Sequence, residues 1–100
     1  MKALLISPET QQIEEIEITG EDDIIGLIGF DTLESDSIGP QGDHLYFDEE
    51  CFLRGTAGKF QIDKLIPVSG KGVVVGNAAD GSLQDVVTTT DELQGRIKYL

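Results

Sequence analysis

The densest cluster of groups able to do chemistry is His44, Asp48, Glu49, Glu50 and Cys51. Such a set suggests a metal-dependent acidic enzyme, with Asp48, Glu49 and His44 around a divalent ion. The spacing works against that reading. One histidine and one cysteine cannot complete a tetrahedral zinc site without several carboxylates. In an extended strand His44, Tyr46 and Asp48 share one face, while Leu45 and Phe47 share the other. Three neighbouring carboxylates blunt the nucleophilicity of Cys51. The lone histidine precedes most nucleophile candidates and belongs to no triad signature. The cluster therefore reads as a solvated acidic turn, and no catalytic, metal-ligating or cofactor-binding residue is assigned.

Two glycine-rich stretches invite a phosphate reading: Arg54-Gly55-Thr56-Ala57-Gly58-Lys59 and Ser69-Gly70-Lys71-Gly72. A P-loop needs wider glycine spacing, a hydroxyl after the lysine and a helix behind it. Phe60 stands where the hydroxyl belongs, and no helical pattern follows either stretch. Both read as turns. Asp80-Gly81 resembles part of a calcium loop, but that register puts Gly76, Ala78 and Val87 at ligand positions. A turn with Gly81 at positive φ is the better account.

The elements that would position these residues follow from pattern. Lys2 to Ser7 is a short apolar strand stopped by Pro8. Its run Ala3-Leu4-Leu5-Ile6 is too short for the apolar region of a secretory signal. Gln12 to Ile18 is ambiguous between strand and helix. Ile16 and Ile18 alternate with Glu15 and Glu17, whereas Ile13 is out of phase, which favours a strand with a bulge near Glu14. A helix is expected over about 19–29, capped by Thr19, with Ile24, Leu27 and Ile28 on one face and Gly29 at its end. Residues 30–38 alternate loosely, and Gly39-Pro40-Gln41-Gly42-Asp43 is a loop. Leu45-Tyr46-Phe47 and Cys51-Phe52-Leu53 read as a hairpin around Asp48-Glu49-Glu50. Short strands follow at 60–62, 72–76 and 83–88. A second helix is expected over about 90–99, capped by Thr89 or Thr90, with Leu93, Ile97 and Leu100 as its stripe. The fold class is α+β: a mostly antiparallel sheet with two short helices covering one face.

The chain of 100 residues makes one domain, 1–100. Its net charge is -12, and that charge is lopsided. Residues 1–53 hold 14 acids against one base, Lys2, while residues 54–100 hold 5 acids against 6 bases. A duplex or anionic membrane surface needs a basic face, so direct nucleic-acid and membrane binding are not expected. One cysteine cannot form an internal disulfide, which suits a reducing compartment and points to the cytoplasm. The candidate interaction face is acidic: Glu14, Glu15, Glu17, Glu21, Asp22, Asp23, Asp48, Glu49 and Glu50.

Three segments carry a resemblance: Met1-Lys2-Ala3-Leu4-Leu5-Ile6-Ser7-Pro8, Leu45-Tyr46-Phe47-Asp48-Glu49-Glu50, and Val73-Val74-Val75-Gly76 followed by Asp80-Gly81. Together they resemble the family of small proteins called domain of unknown function 3846, spread through bacteria, plasmids and phages. Glu50-Cys51 departs from the family's preference for glycine after the acidic pair. The resemblance implies no activity and no catalytic residues; it implies an intracellular accessory role in a mobile element. The expected function is non-catalytic binding of a basic protein partner. A sharper form is DNA mimicry, in which carboxylates spaced like phosphates occupy a basic groove. A metal-dependent enzyme at 44–50, a small-molecule pocket beneath the C-terminal helix, and homodimerisation through a strand edge stand as alternatives.

Overall fold

The computed structural model describes residues 1–100. The strands are β1 (Lys2–Ser7), β2 (Gln12–Glu17), β3 (Leu33–Ser37), β4 (Asp43–Asp48), β5 (Lys59–Ile62), β6 (Val68–Ser69), β7 (Gly72–Asn77), β8 (Leu83–Gln84) and β9 (Ile97–Tyr99). The helices are α1 (Glu21–Ile28) and α2 (Thr90–Gln94), with one 3-10 turn at Cys51–Leu53. The architecture is α+β and every pairing is antiparallel.

The main sheet runs β2-β1-β7-β4-β3, with β8 adding to β7, and a smaller sheet runs β6-β5-β9. Alternation along the central strands sends side chains into two separate cores. Leu4, Ile6, Leu45, Phe47 and Val74 meet Phe60, Ile62 and Val68 of the smaller sheet and Leu93 of α2. Ala3, Val73 and Val75, on the opposite face, meet Ile18, Ile24 and Ile28. The two helices therefore lie on opposite faces of the main sheet, not on one. A purely apolar run such as Val73-Val74-Val75 marks a strand covered on both sides, and both sides must then find partners.

The same two-sidedness settles β2. Its register against β1 is continuous from Lys2↔Glu17 to Ser7↔Gln12, with no bulge at Glu14. Ile13 lies opposite Ile6 and packs on the first core, while Ile16 lies opposite Ala3 and packs on the second. The phase break in the sequence is one strand serving two cores.

Helix α1 is shorter than the 19–29 expected, and Thr19 does not cap it. Gly20 is the N-cap residue, and the Asp23 carboxylate instead accepts from the Thr19 N–H at 2.7 Å and its hydroxyl at 2.8 Å. Gly29 closes the helix in the left-handed conformation, as expected.

The second helix differs more. Thr89 caps it through the expected capping box with Glu92, yet it ends at Gln94. Ile97-Lys98-Tyr99 forms β9 on β5, with Ile97 and Tyr99 turned toward the first core. Apolar residues at 97 and 99 obey a period of two, which outweighs the helical spacing of 93, 97 and 100 once β5 offers its edge. Arg96 fixes the crossover. Its guanidinium binds Asp63 at 2.5 Å and also donates to the Ile38 carbonyl, tying the two sheets together. Nor do Cys51, Phe52 and Leu53 pair with β4, which lies between β3 and β7 instead.

Gly26 sits inside α1, and a Cβ built there meets no atom within 4 Å. Gly26→Ala is expected to stabilise the domain by about 0.5–1 kcal/mol, because alanine loses less backbone entropy in a helix. Urea unfolding checks this, and a loss of stability would place residue 26 outside a regular helix.

Candidate functional site

The 44–51 segment is a strand end followed by a turn, in which Asp48 and Cys51 are held by structural contacts while Glu49 and Glu50 are exposed. His44, Tyr46 and Asp48 do share one face, toward α1, while Leu45 and Phe47 enter the first core. Asp48, expected on the surface, is only 3% exposed. Its carboxylate accepts from the Arg54 Nε at 2.9 Å, from the Glu50 N–H at 3.1 Å and from the Thr32 hydroxyl. Arg54 also stacks 4.3 Å above the Phe30 ring and reaches Glu50 at 3.5 Å. Burial pushes the Asp48 carboxyl up, but hydrogen bonds from Arg54, Thr32 and the Glu50 amide outweigh it and hold the group below its ordinary value.

The His44 Nδ1 is buried without a hydrogen-bond partner, as is the Asn77 Oδ1, while the Asn77 amide donates to the Tyr46 hydroxyl at 2.8 Å. Cys51 is buried, its sulfur accepting from the Ser69 N–H at 3.5 Å. No group of three or more His, Cys, Asp or Glu side chains is placed to hold a metal ion.

The two glycine-rich stretches come together. The Gly70 N–H donates to the Gly58 carbonyl at 3.0 Å, and the Thr56 and Ser69 hydroxyls lie 3.0 Å apart. Gly58 has φ 81° and backs onto the β1–β2 turn, where a Cβ would lie 2.6 Å from the Glu9 nitrogen. No helix follows either stretch, so no dipole is aimed at a phosphate. The turn at 80–82 is likewise local: the Ser82 hydroxyl and N–H both donate to Asp80 and hold its carboxyl below the usual range.

Asp43, at the end of the expected 39–43 loop, is a structural residue that sequence reasoning missed. It is the first residue of β4 and only 2% exposed. Its carboxylate accepts from the Val87 N–H at 3.0 Å, the Thr88 N–H at 2.8 Å and the Thr88 hydroxyl at 2.6 Å. One side chain thus holds the irregular segment after β8 that leads into α2. Only its position after the Gly39–Gly42 breakers, at the foot of an alternating run, hinted at a strand start.

The acidic residues fall into separate groups. Glu14, Glu15 and Glu17 line β2, one edge of the main sheet, and Glu21, Asp22 and Asp23 fill the first turn of the adjacent α1. All six are exposed. Asp48, Glu49 and Glu50 sit elsewhere. Asp48 pairs with Leu33 of the opposite edge strand β3, and four strand spacings, roughly 19 Å, separate the two edges. The α1 start lies at the Met1 end of β1, whereas Asp48 lies at the Ser7 end. Asp31, Glu34 and Asp36 belong to this second group, beside β3. No family model, no curated protein and no solved structure matches the chain.

Two carboxylates are therefore expected to matter for stability. Asp43→Ala leaves two N–H groups and a hydroxyl without their acceptor and should cost about 2–4 kcal/mol in chemical unfolding; a cost near zero would mean that the 85–88 segment is held by other contacts. Asp48→Asn should cost about 1.5–3 kcal/mol near neutral pH. The Asp48 pKa is depressed in the folded state, so its contribution is present above the ordinary value of 3.8 and is lost as pH falls through the lower folded value. The gap between wild type and variant should close in acid, and a constant gap across pH would show that the carboxylate's charge is immaterial.

Proposed function

We propose that the chain is a non-catalytic, cytoplasmic protein-binding domain that recognises a basic partner through the acids on β2 and the start of α1. The observation that carries this reading is the placement of six exposed carboxylates on one edge strand and the adjoining helix turn. Lys2, opposite Glu17, is the one basic side chain in register with β2. Glu14 lies on the α1 face of this edge and Glu15 and Glu17 on the other, so the edge is negative on both sides; a single-sign edge accelerates encounter with a basic surface and repels nucleic acid. No helix is long and apolar enough to cross a membrane, and the sole cysteine is buried, which supports the cytoplasmic assignment. Membership of the family called domain of unknown function 3846, with its mobile-element context, belongs to the same proposal.

The split of the acids between two sheet edges supports recognition of a local basic segment over mimicry of a DNA duplex, which needs one continuous stripe. Affinity capture with the full chain, over salt from about 0.05 to 0.5 M, tests the proposal. The expected result is a basic protein retained at low salt, released at high salt, and lost in the triple variant Glu14→Gln, Glu15→Gln, Glu17→Gln. Capture indifferent to both salt and the triple variant would overturn it.

A further inference from the structure

Resting on the protein-binding reading above, we infer that the face of the main sheet over β1 and β2 is a vacant seat for a basic amphipathic helix from a partner protein, lying beside α1. Helix α1 packs across β7 and β4 and leaves the β1–β2 flank of the same face without a covering element. Its floor is apolar in the middle: Leu5 and Ile16 point to this side and are only half-buried. Leu27 of α1, also half-buried, forms the wall. Two hollows share Leu27: one of about 480 Å³ lies along β2 and is lined by Ile16 and Gly26, and the other, of about 590 Å³, lies between the β1–β2 turn and the end of α1, where Glu9 and Lys71 are its two charged side chains.

The dimensions suit a helix. The β1–β2 line lies two strand spacings, roughly 9.6 Å, from the β7–β4 line under α1. That matches the 8–10 Å at which neighbouring helices pack (about one helix diameter). Gly26 lines the seat and, having no side chain, lets a neighbour approach closely.

The rim fixes the chemistry of the occupant. Glu14 lies opposite Leu5 on this same face, and Asp22 and Asp23 line the hollow at its other end, while Glu17, opposite Lys2, points to the other face of the sheet. Lysines or arginines flanking an apolar stripe would meet these carboxylates while their stems covered Ile16 and Leu27. The opposite flank of the face, over β3, is different. It carries Ser35 and Ser37, both exposed, opposite Tyr46 and His44. Hydroxyls there suit water, whereas an apolar floor inside an acidic rim suits a cationic helix.

The probe is a capped leucine–lysine peptide of about 14 residues with leucines at helical spacing. Its control has the same composition with strict leucine–lysine alternation, which favours a strand. Backbone amide shifts of the full chain report the binding site. The expected result is saturable binding of the helical peptide with shifts at Leu5, Glu14, Ile16, Gly26 and Leu27. The alternating peptide should bind roughly tenfold more weakly. Gly26→Tyr, which fills the seat at an open helix position and changes no charge, should weaken the helical peptide by roughly tenfold. Equal binding of both peptides, indifference to Gly26→Tyr, or shifts confined to the outer edge of β2 would overturn the seat while leaving the acidic-face reading intact. Failure of both peptides to bind would overturn both.

Discussion

Everything in this fold leans on β7. It lies at the middle of the main sheet, hydrogen-bonded to β1 on one side and β4 on the other, and five of its six residues are buried. Val74 faces the smaller sheet while Val73 and Val75 face α1, so one strand supplies the centre of both cores. A strand with no polar side requires covering layers above and below it. In a chain of this length that demand uses most of the apolar residues, and it assigns the acids to the sheet edges and the helix start. The surface charge follows from the core in this sense: the residues left over for β2 and β3 are the ones that need no cover.

The acids at those edges also act on the sheet itself. An edge strand exposes unpaired backbone groups and invites another strand, and like charges along it oppose self-association. Both ends of the main sheet carry such charges, Glu14, Glu15 and Glu17 on β2 and Glu34 and Asp36 on β3. The same side chains that discourage a second copy favour a partner of opposite charge. Under the proposed function, recognition would draw on the same residues that oppose self-association.

The local elements were legible because their signals are local. Alternation and Pro8 marked β1, the Gly-Val-Val-Val-Gly run marked β7, and Thr89 with Glu92 marked the start of α2. What failed was whatever depended on a distant partner. Ile97 to Tyr99 is a strand because β5 is there to pair with it. Ile13 is out of phase only for a strand with one buried face, whereas β2 serves two cores. Asp43 and Asp48 carry ordinary acidic residue types, and nothing within a few positions shows that Val87, Thr88, Thr32 and Arg54 converge on them. The acidic half was visible as a count, but its division between two edges comes from the strand order, which places β2 and β3 farthest apart.

The strand order also dictates a sequence of events. The hairpin β1–β2 and the hairpin β3–β4 are each contiguous in the chain, yet the strand that joins them is not made until residue 77. Until then each hairpin lacks its central neighbour in the sheet, and the loops that must close are long. An isolated hairpin is marginal in water, so the order of the strands makes the last of the central ones the one that completes the sheet. Like charge on the two hairpins opposes their pairing directly with each other, so the net charge bears on strand order as well as on the finished surface.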